Sequence, residues 1–388
     1  MEMIARKLVG DVVSDLAGKM VFVSGPRQVG KTTLAKQVLS RQTGIYLNWD
    51  NGDDKKRILA GKWPEKGLVV LDEIHKYRQW KNFIKGQYDK YRDELTFLIT
   101  GSARLNVYKK GGDSLVGRYH HHRLHPFTMG ELEQTVKMPL PFQKLILDPA
   151  ASSGPLDQLL MFGGFPEPFC VANERTLRRW HKERIEQVIN EDVRDVSNIH
   201  DLHLIEQFTS MLGPRVGSPL SLNSLREDLN VSHRTIMNWF SILQQMYVCY
   251  ALPPYQGKMP NALKKEPKVY LWDWSQLQDP GIRLENLVAS HLLKLCHGLQ
   301  DREGYGAQLW YLRDRQKREV DFLVTNDGKP WFAVEVKTAE PKKTNLEYFK
   351  QRLNIPFTYC ACKELKEVFV QDSVVYAPVA QFLRALGA

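Results

Sequence analysis

The residues with the clearest chemical spacing lie near the start of this 388-residue chain. Gly25-Pro26-Arg27-Gln28-Val29-Gly30-Lys31-Thr32 reads G-x-x-x-x-G-K-[ST] in full and is followed by Thr33. The two glycines let the backbone curl until its N–H groups face phosphate oxygens. Lys31 supplies a cation for β- and γ-phosphates, and Thr32 a hydroxyl for Mg²⁺. Further along, Asp72 and Glu73 stand side by side. The first carboxylate can hold a Mg²⁺ shell and the second can polarise an attacking water. These types in this order point to binding and hydrolysis of ATP, with Mg²⁺ as the accompanying ion.

Such residues need an element to carry them. A short β-type run at 20–24 leads into the glycine loop, and 33–39 continues as a helix, which is the strand–loop–helix context the motif requires. Residues 67–71 form a continuous apolar run, as expected of a strand buried on both faces, and it ends in Asp72-Glu73. Residues 44–47 and 95–99 read as further strands, the latter ending in Thr100-Gly101-Ser102. A strand inserted between the phosphate loop and the acidic strand is the layout of additional-strand ATPases. In those the polar tip of the next strand senses the γ-phosphate or positions water, which makes Thr100 and Ser102 candidates; a plain turn residue is the alternative for either.

Taken in order, G-P-R-Q-V-G-K-T-T, L-D-E, L-I-T-G-S and Ser114-Leu115-Val116-Gly117-Arg118 resemble the prokaryotic AAA-type ATPases whose C-terminal half is catalogued as a domain of unknown function. Gly163-Gly164-Phe165-Pro166-Glu167-Pro168 and the pattern around Glu285-Asn286 extend the resemblance along nearly the whole chain. It implies a role for Arg118, as a transition-state cation offered to a neighbouring subunit or as a phosphate-proximal group in cis, with Arg104 competing; a surface or structural salt-bridge arginine is the alternative. It also implies a homo-oligomer, a hexameric ring for example. The tract Tyr119-His120-His121-His122-Arg123-Leu124-His125 looks like a metal ligand set, but adjacent histidines on a strand point to opposite faces and cannot chelate one ion well, so a solvated or edge strand is expected.

Residues 148–155 make the best linker by composition. Beyond it the sequence is helical in character to about Leu252. Residues 222–229, an Asn230-Val231-Ser232 turn, and a second helix with Ile236, Trp239, Phe240 and Leu243 on one stripe give a helix-turn-helix shape, with Ser232 as N-cap. The run 247–252 can open a wing. A DNA-reading role would use His233, Arg234 and Asn238 in the major groove; a protein-packing role is the competitor.

The last segment changes pattern again. An amphipathic helix around 284–295 carries Glu285, strands at 309–312 and 319–324 follow, Asn326-Asp327-Gly328 makes a hairpin turn, and 331–337 returns. Alternation sets Glu335 and Lys337 on one face, with Asp321 on the paired strand, so the three can converge. Two carboxylates suit a hard divalent cation, and a lysine beside them suits phosphodiester hydrolysis. The arrangement resembles the PD-(D/E)XK nucleases, with Glu285 matching the helical acid of that family and Val320 standing where its motif has proline. A Glu–Lys pair without metal is the competing reading.

The expected architecture is therefore an α/β P-loop NTPase of the additional-strand, AAA type (1–150), a helical and winged-helix middle (151–268), and an α/β nuclease-like domain (269–388). The net charge is +10, and residues 1–170 hold 25 basic and 18 acidic side chains. Most of the surplus thus sits with the phosphate loop, and it argues for nucleotide more than for nucleic acid. No apolar run is long enough for a membrane span, no secretory signal opens the chain, and five cysteines without a CxxC pair suggest reduced thiols in a cytoplasmic protein. Two outputs compete: an ATPase that remodels or processes DNA, and an ATP-driven switch acting on a protein partner through an inactive C-terminal recognition domain.

Overall fold

Buried β-branched and aromatic runs dictate the N-terminal sheet. The computed structural model describes residues 4–101, 115–133, 137–149, 153–193, 202–257, 266–340 and 344–388. Strands β1 (Met20–Ser24), β2 (Gly44–Asn48), β3 (Gly67–Asp72), β4 (Leu95–Gly101) and β5 (Tyr119–Arg123) pair in parallel in the order β2-β3-β4-β1-β5. Val69, Val70 and Leu71 are all fully buried, as are Val21, Phe22 and Val23, which requires cover on both faces. On one face Phe22, Val69, Leu71, Phe97 and Ile99 pack with Trp80 and Ile84 of helix Trp80–Tyr91.

β4 enters between β1 and β3, so the C-terminal ends of the three lie side by side. Val23 and Asp72 each pair with Thr100. Chemistry in a parallel sheet gathers at such an edge. The chain divides into two compact units, Met1–His125 and Pro126–Ala388. The linker read from composition, 148–155, falls within the second unit, and its residues 150–152 lie outside the described residues.

In the second unit, helices Leu222–Asp228 and His233–Gln245 are joined by a turn in which Asn230 takes a positive φ of 51°. Ser232 caps the second helix by accepting from the Thr235 N–H at 3.1 Å. Its buried stripe is Ile236, Trp239, Phe240, Ile242 and Leu243. An antiparallel ribbon comes next, β6 (Cys249–Leu252) against β7 (Lys268–Leu271). Asp279 caps the long helix Pro280–Glu303, which packs on a mixed sheet of β8 (Ala307–Arg313), β9 (Glu319–Asn326), β10 (Lys329–Lys337), β11 (Phe357–Cys362), β12 (Phe369–Gln371) and β13 (Val374–Pro378). Its order is β12-β13-β11-β10-β9-β8. The β9–β10 hairpin turns through Asp327 and Gly328, at φ 49° and 73°, the pair of left-handed residues a tight hairpin needs. Cys360 and Cys362 are buried core residues with sulfurs 3.6 Å apart.

The Gly163-Gly164-Phe165 motif has a packing reason. The Gly164 carbonyl accepts from the Phe127 N–H at 2.6 Å, and a Cβ on Gly164 would sit 2.6 Å from the Phe127 carbonyl oxygen and 2.7 Å from the Trp274 ring. Phe165 is then fully buried against Trp180, with the buried Arg184 guanidinium 4.3 Å above its ring. Gly164→Ala is expected to destabilise this unit by roughly 1–3 kcal/mol through overpacking, read as a lower urea midpoint with an unchanged m-value. An unaltered midpoint would refute the close approach.

Candidate functional site

The phosphate loop is held in shape before any ligand arrives. Gln28 and Gly30 have positive φ of 63° and 97°. A Cβ on Gly25 would meet the backbone carbonyl of Leu124, so only glycine lets the loop start there. From behind, the buried Arg6 guanidinium donates to the carbonyls of Val29 (2.9 Å) and His125. Helix Lys31–Leu39 begins without a side-chain cap, which leaves its first turn fit to receive an anion. Lys31 is buried, and its ammonium donates to the loop's own carbonyls at Gly25 (3.1 Å) and Pro26 (2.7 Å).

Facing the loop is Asp72, 2% exposed. Its Oδ2 accepts from the hydroxyls of Thr32 and Tyr46, both at 2.7 Å, and its Oδ1 from Thr100 at 2.5 Å. Burial, then the Asp72 hydrogen bond, holds the Tyr46 phenol far above its ordinary range, so Tyr46 stays a donor. Glu73 comes next in a left-handed conformation (φ 59°), its N–H donating to the Thr100 carbonyl at 3.0 Å. Burial raises the Glu73 carboxyl, and Lys31 opposes the shift. Its Oε2 lies 3.6 Å from His75 Nε2 and 3.8 Å from Lys76 Nζ. The loop residues Gly25 to Thr33, Asp72, Glu73 and Thr100 are therefore brought to one edge. Ser102, Arg104 and Ser114 lie outside the described residues.

Arg118 is not brought there. It precedes β5, and its carbonyl accepts from Met20 N–H at the opening end of β1, while the phosphate loop leaves β1 at the other end. Five strand residues intervene, roughly 16 Å, so a cis role at this chain's own phosphates is out of reach. Its guanidinium forks onto Asp89 at 2.7 and 3.2 Å. The histidine tract occupies the sheet-edge strand β5, with His121 on Ser24 Oγ and His122 on Asp15, each at 2.8 Å. They serve separate partners and do not form a ligand set.

The acids expected in the second unit also meet. The Lys337 ammonium is 2.8 Å from Glu335 Oε1, and Asp321 Oδ2 accepts from the Val336 N–H at 2.8 Å. Glu285 lies beneath Gly217, whose Cβ would sit 3.0 Å from the carboxylate and whose φ is 75°. The next residue, Asn286, grips β7 by both hydrogen-bonding groups, accepting from Leu271 N–H and donating to Leu271 C=O, each at 2.8 Å. This register carries Tyr270 to Glu285 at 2.7 Å and sends Lys268, 1% exposed, between the acids. Lys268 Nζ is 2.7 Å from Glu319 Oε1, 3.6 Å from Glu285 Oε1 and 3.9 Å from Asp321 Oδ1. Among the described residues no group of three or more His, Cys, Asp or Glu side chains is set to hold a metal ion. Lys268, Tyr46 and Arg6 were not singled out in sequence. A lysine heading a strand reads as its solvent end, although Lys268 and Tyr270 share one face by alternation.

Residues 17–133 match the AAA domain family AAA_14, and residues 154–278 and 280–382 match two domains of unknown function, DUF8612 and DUF4143. An uncharacterized protein of Mycobacterium tuberculosis is 22% identical over 343 residues, covering 83% of this chain and 71% of its own length. One from Methanocaldococcus jannaschii is 23% identical over 349 residues, covering 84% and 77%. Among solved structures, a Walker-type ATPase of Pyrococcus abyssi aligns with TM-score 0.41 at 13% identity over 72% of this chain and 95% of its own. The Aeropyrum pernix ORC1 protein in complex with DNA aligns with 0.34 at 14% over 74% and 93%. The match over residues 17–133, which holds the phosphate loop and the acidic strand, supports an AAA-type, P-loop ATPase-like domain there. No helix among the described residues is long and apolar enough to cross a membrane.

The acid cluster makes stability depend on pH. Burial, reinforced by Asp321, pushes the Glu285 carboxyl up to about 7 from 4.5. The folded chain holds that proton more tightly than the unfolded one. Its contribution is full below the unfolded value and is lost as pH rises through the folded value. Glu285→Gln should therefore flatten the fall in unfolding free energy between about pH 5 and about pH 7.5. Urea melts across that window check it, and an unchanged slope would count against a protonated Glu285.

Proposed function

We propose that this chain binds and hydrolyses ATP with Mg²⁺ at the edge formed by β1, β3 and β4. The observation that carries the reading is the hydroxyl–carboxylate cluster of Thr32, Asp72 and Thr100 opposite a phosphate loop whose lysine is parked on carbonyls. Oxygen donors of this kind fit a hard cation, and the Lys31 ammonium, held within the loop against the Gly25 and Pro26 carbonyls, fits a cation for phosphate oxygens. Mg²⁺, when bound through Thr32 and Asp72, supplies charge neutralisation between phosphate oxygens. Lys31 and the N–H groups of Gly25 to Thr33 grip the phosphates. Glu73, raised by its burial, accepts the proton of the attacking water, and Thr100 fixes the carboxylate beside it.

Lys31→Ala should abolish nucleotide binding, whereas Glu73→Gln should bind ATP as tightly as the parent and turn it over at least about 10²-fold more slowly, within the usual range for a general base. Fluorescent-nucleotide titration and phosphate release separate the two. Tight ATP binding by Lys31→Ala would defeat the assignment.

The output we infer is remodelling or processing of DNA. The helix-turn-helix with its ribbon is read as a winged helix whose exposed His233, Arg234 and Asn238 face the duplex, and Glu285, Asp321, Glu335 and Lys337 as a nuclease-type constellation. The competing output, a switch on a protein partner with an inactive C-terminal domain, is favoured by the lysine lodged among those acids. Replacing His233, Arg234 and Asn238 together by Ala should remove any DNA stimulation of ATPase at moderate salt, and Glu335→Ala should abolish Mg²⁺-dependent cleavage. ATPase indifferent to DNA, with no cleavage in the parent, selects the protein-partner reading. The far position of Arg118 favours a homo-oligomer in which it serves a neighbour; mixing Lys31→Ala with Arg118→Ala chains should then restore part of the activity.

A further inference from the structure

The lysine among the C-terminal acids answers a question the acid constellation raises on its own: what neutralises it. Glu285, Glu319 and Asp321 bring three carboxyl groups to one point. Glu335 is matched by Lys337, and the second oxygen of Glu319 by Arg313 at 3.2 Å. Glu285, Glu319 and Asp321 all turn an oxygen to one ammonium, Lys268 Nζ, which is buried and has the Tyr311 ring 5.5 Å away. Burial works to lower this lysine, but Glu285, Asp321 and Glu319 outweigh it and hold it charged.

Its position is built rather than incidental. Asn286 pins Leu271, Tyr270 bonds Glu285, and the Leu220 N–H holds the Pro267 carbonyl at 2.8 Å, so both ends of β7 are fixed while Lys268 points inward. A divalent ion coordinated by Glu285 and Asp321 would need oxygens at roughly 2–2.5 Å. It would then lie within a few ångströms of the ammonium, at a buried point where solvent screens the repulsion poorly. Metal and lysine exclude one another.

We propose that Lys268 is a tethered counter-cation that occupies the cation position of the Glu285–Asp321 pair and keeps divalent metal out of it. The proposal uses the same acids as the nuclease-type reading, but it concerns cation occupancy and stands whether or not the domain cleaves DNA. It gives the ribbon beside the helix-turn-helix a second role, because β7 is both its last strand and the carrier of the plug.

The test uses the full chain. Terbium binding is followed by luminescence sensitised through Tyr270 and Tyr311, with Mn²⁺ as competitor, in the parent, Lys268→Met, Lys268→Arg, Asp321→Asn and Lys268→Met/Asp321→Asn. Binding at the phosphate-loop end is common to all and is subtracted with the last variant. Lys268→Met should bind about tenfold or more tighter than the parent, and millimolar Mg²⁺ should raise its thermal midpoint by more than it raises the parent's. Lys268→Arg should match the parent. A parent that gives strong tyrosine-sensitised binding abolished by Asp321→Asn overturns the proposal, even if Lys268→Met fails to fold. A folded Lys268→Met, by circular dichroism, that takes no cation overturns it as well. A plug confirmed in a chain that never cleaves DNA would retire the nuclease reading and leave this one intact.

Discussion

One buried carboxylate organises the nucleotide end of this protein. Asp72 collects a hydroxyl from the helix after the phosphate loop, one from β2 and one from β4, so three segments distant in sequence are tied to the last residue of β3. A carboxylate without such donors would be costly at 2% exposure. The tie fixes the distance between the loop and the acidic strand. It also tethers Glu73, whose N–H returns to the end of β4, in the left-handed turn that directs its side chain. A phosphate-binding edge is thus preorganised by hydrogen bonds that need no ligand.

The second unit solves a related problem with opposite means. Its acids meet on a sheet and a helix, and a strand from outside the sheet brings the compensating charge. Asn286 is the pivot, since a side-chain amide bonded to both backbone groups of Leu271 imitates a neighbouring strand and sets the register that aims Lys268. Removing either partner of such a buried set is expected to cost more than the set contributes intact.

The phosphate loop, the acidic strand, the helix-turn-helix and the β9–β10 hairpin were legible in sequence because each is written in contiguous residues: two glycines before a lysine, an apolar run ending in acid, Ser232 before a stripe of apolar positions, Asp327-Gly328. What escaped depends on contacts between distant residues. Tyr46 belongs to a strand whose place at the sheet edge comes from the order β2-β3-β4-β1-β5, and nothing near Tyr46 announces Asp72. Lys268 meets Glu285, Glu319 and Asp321 only once β7 is docked. The sheet pairing also places Arg118: the resemblance left roles in cis and in trans open, and parallel pairing of β5 with β1 sets the segment before β5 at the end of the sheet away from the phosphate loop.

The Arg118 position gives the first unit a polarity. Phosphate-binding groups stand at one pole of the parallel sheet and the Arg118–Asp89 fork at the other. A copy that offers this arginine to another's phosphates must bring unlike poles together, either reciprocally in an antiparallel two-fold pair or head to tail in a contact that repeats until rotation closes it. Hydrolysis in that arrangement would be completed at a seam, each subunit owning half of two different sites, so that a chain lacking the fork would silence its neighbour's site and leave its own intact.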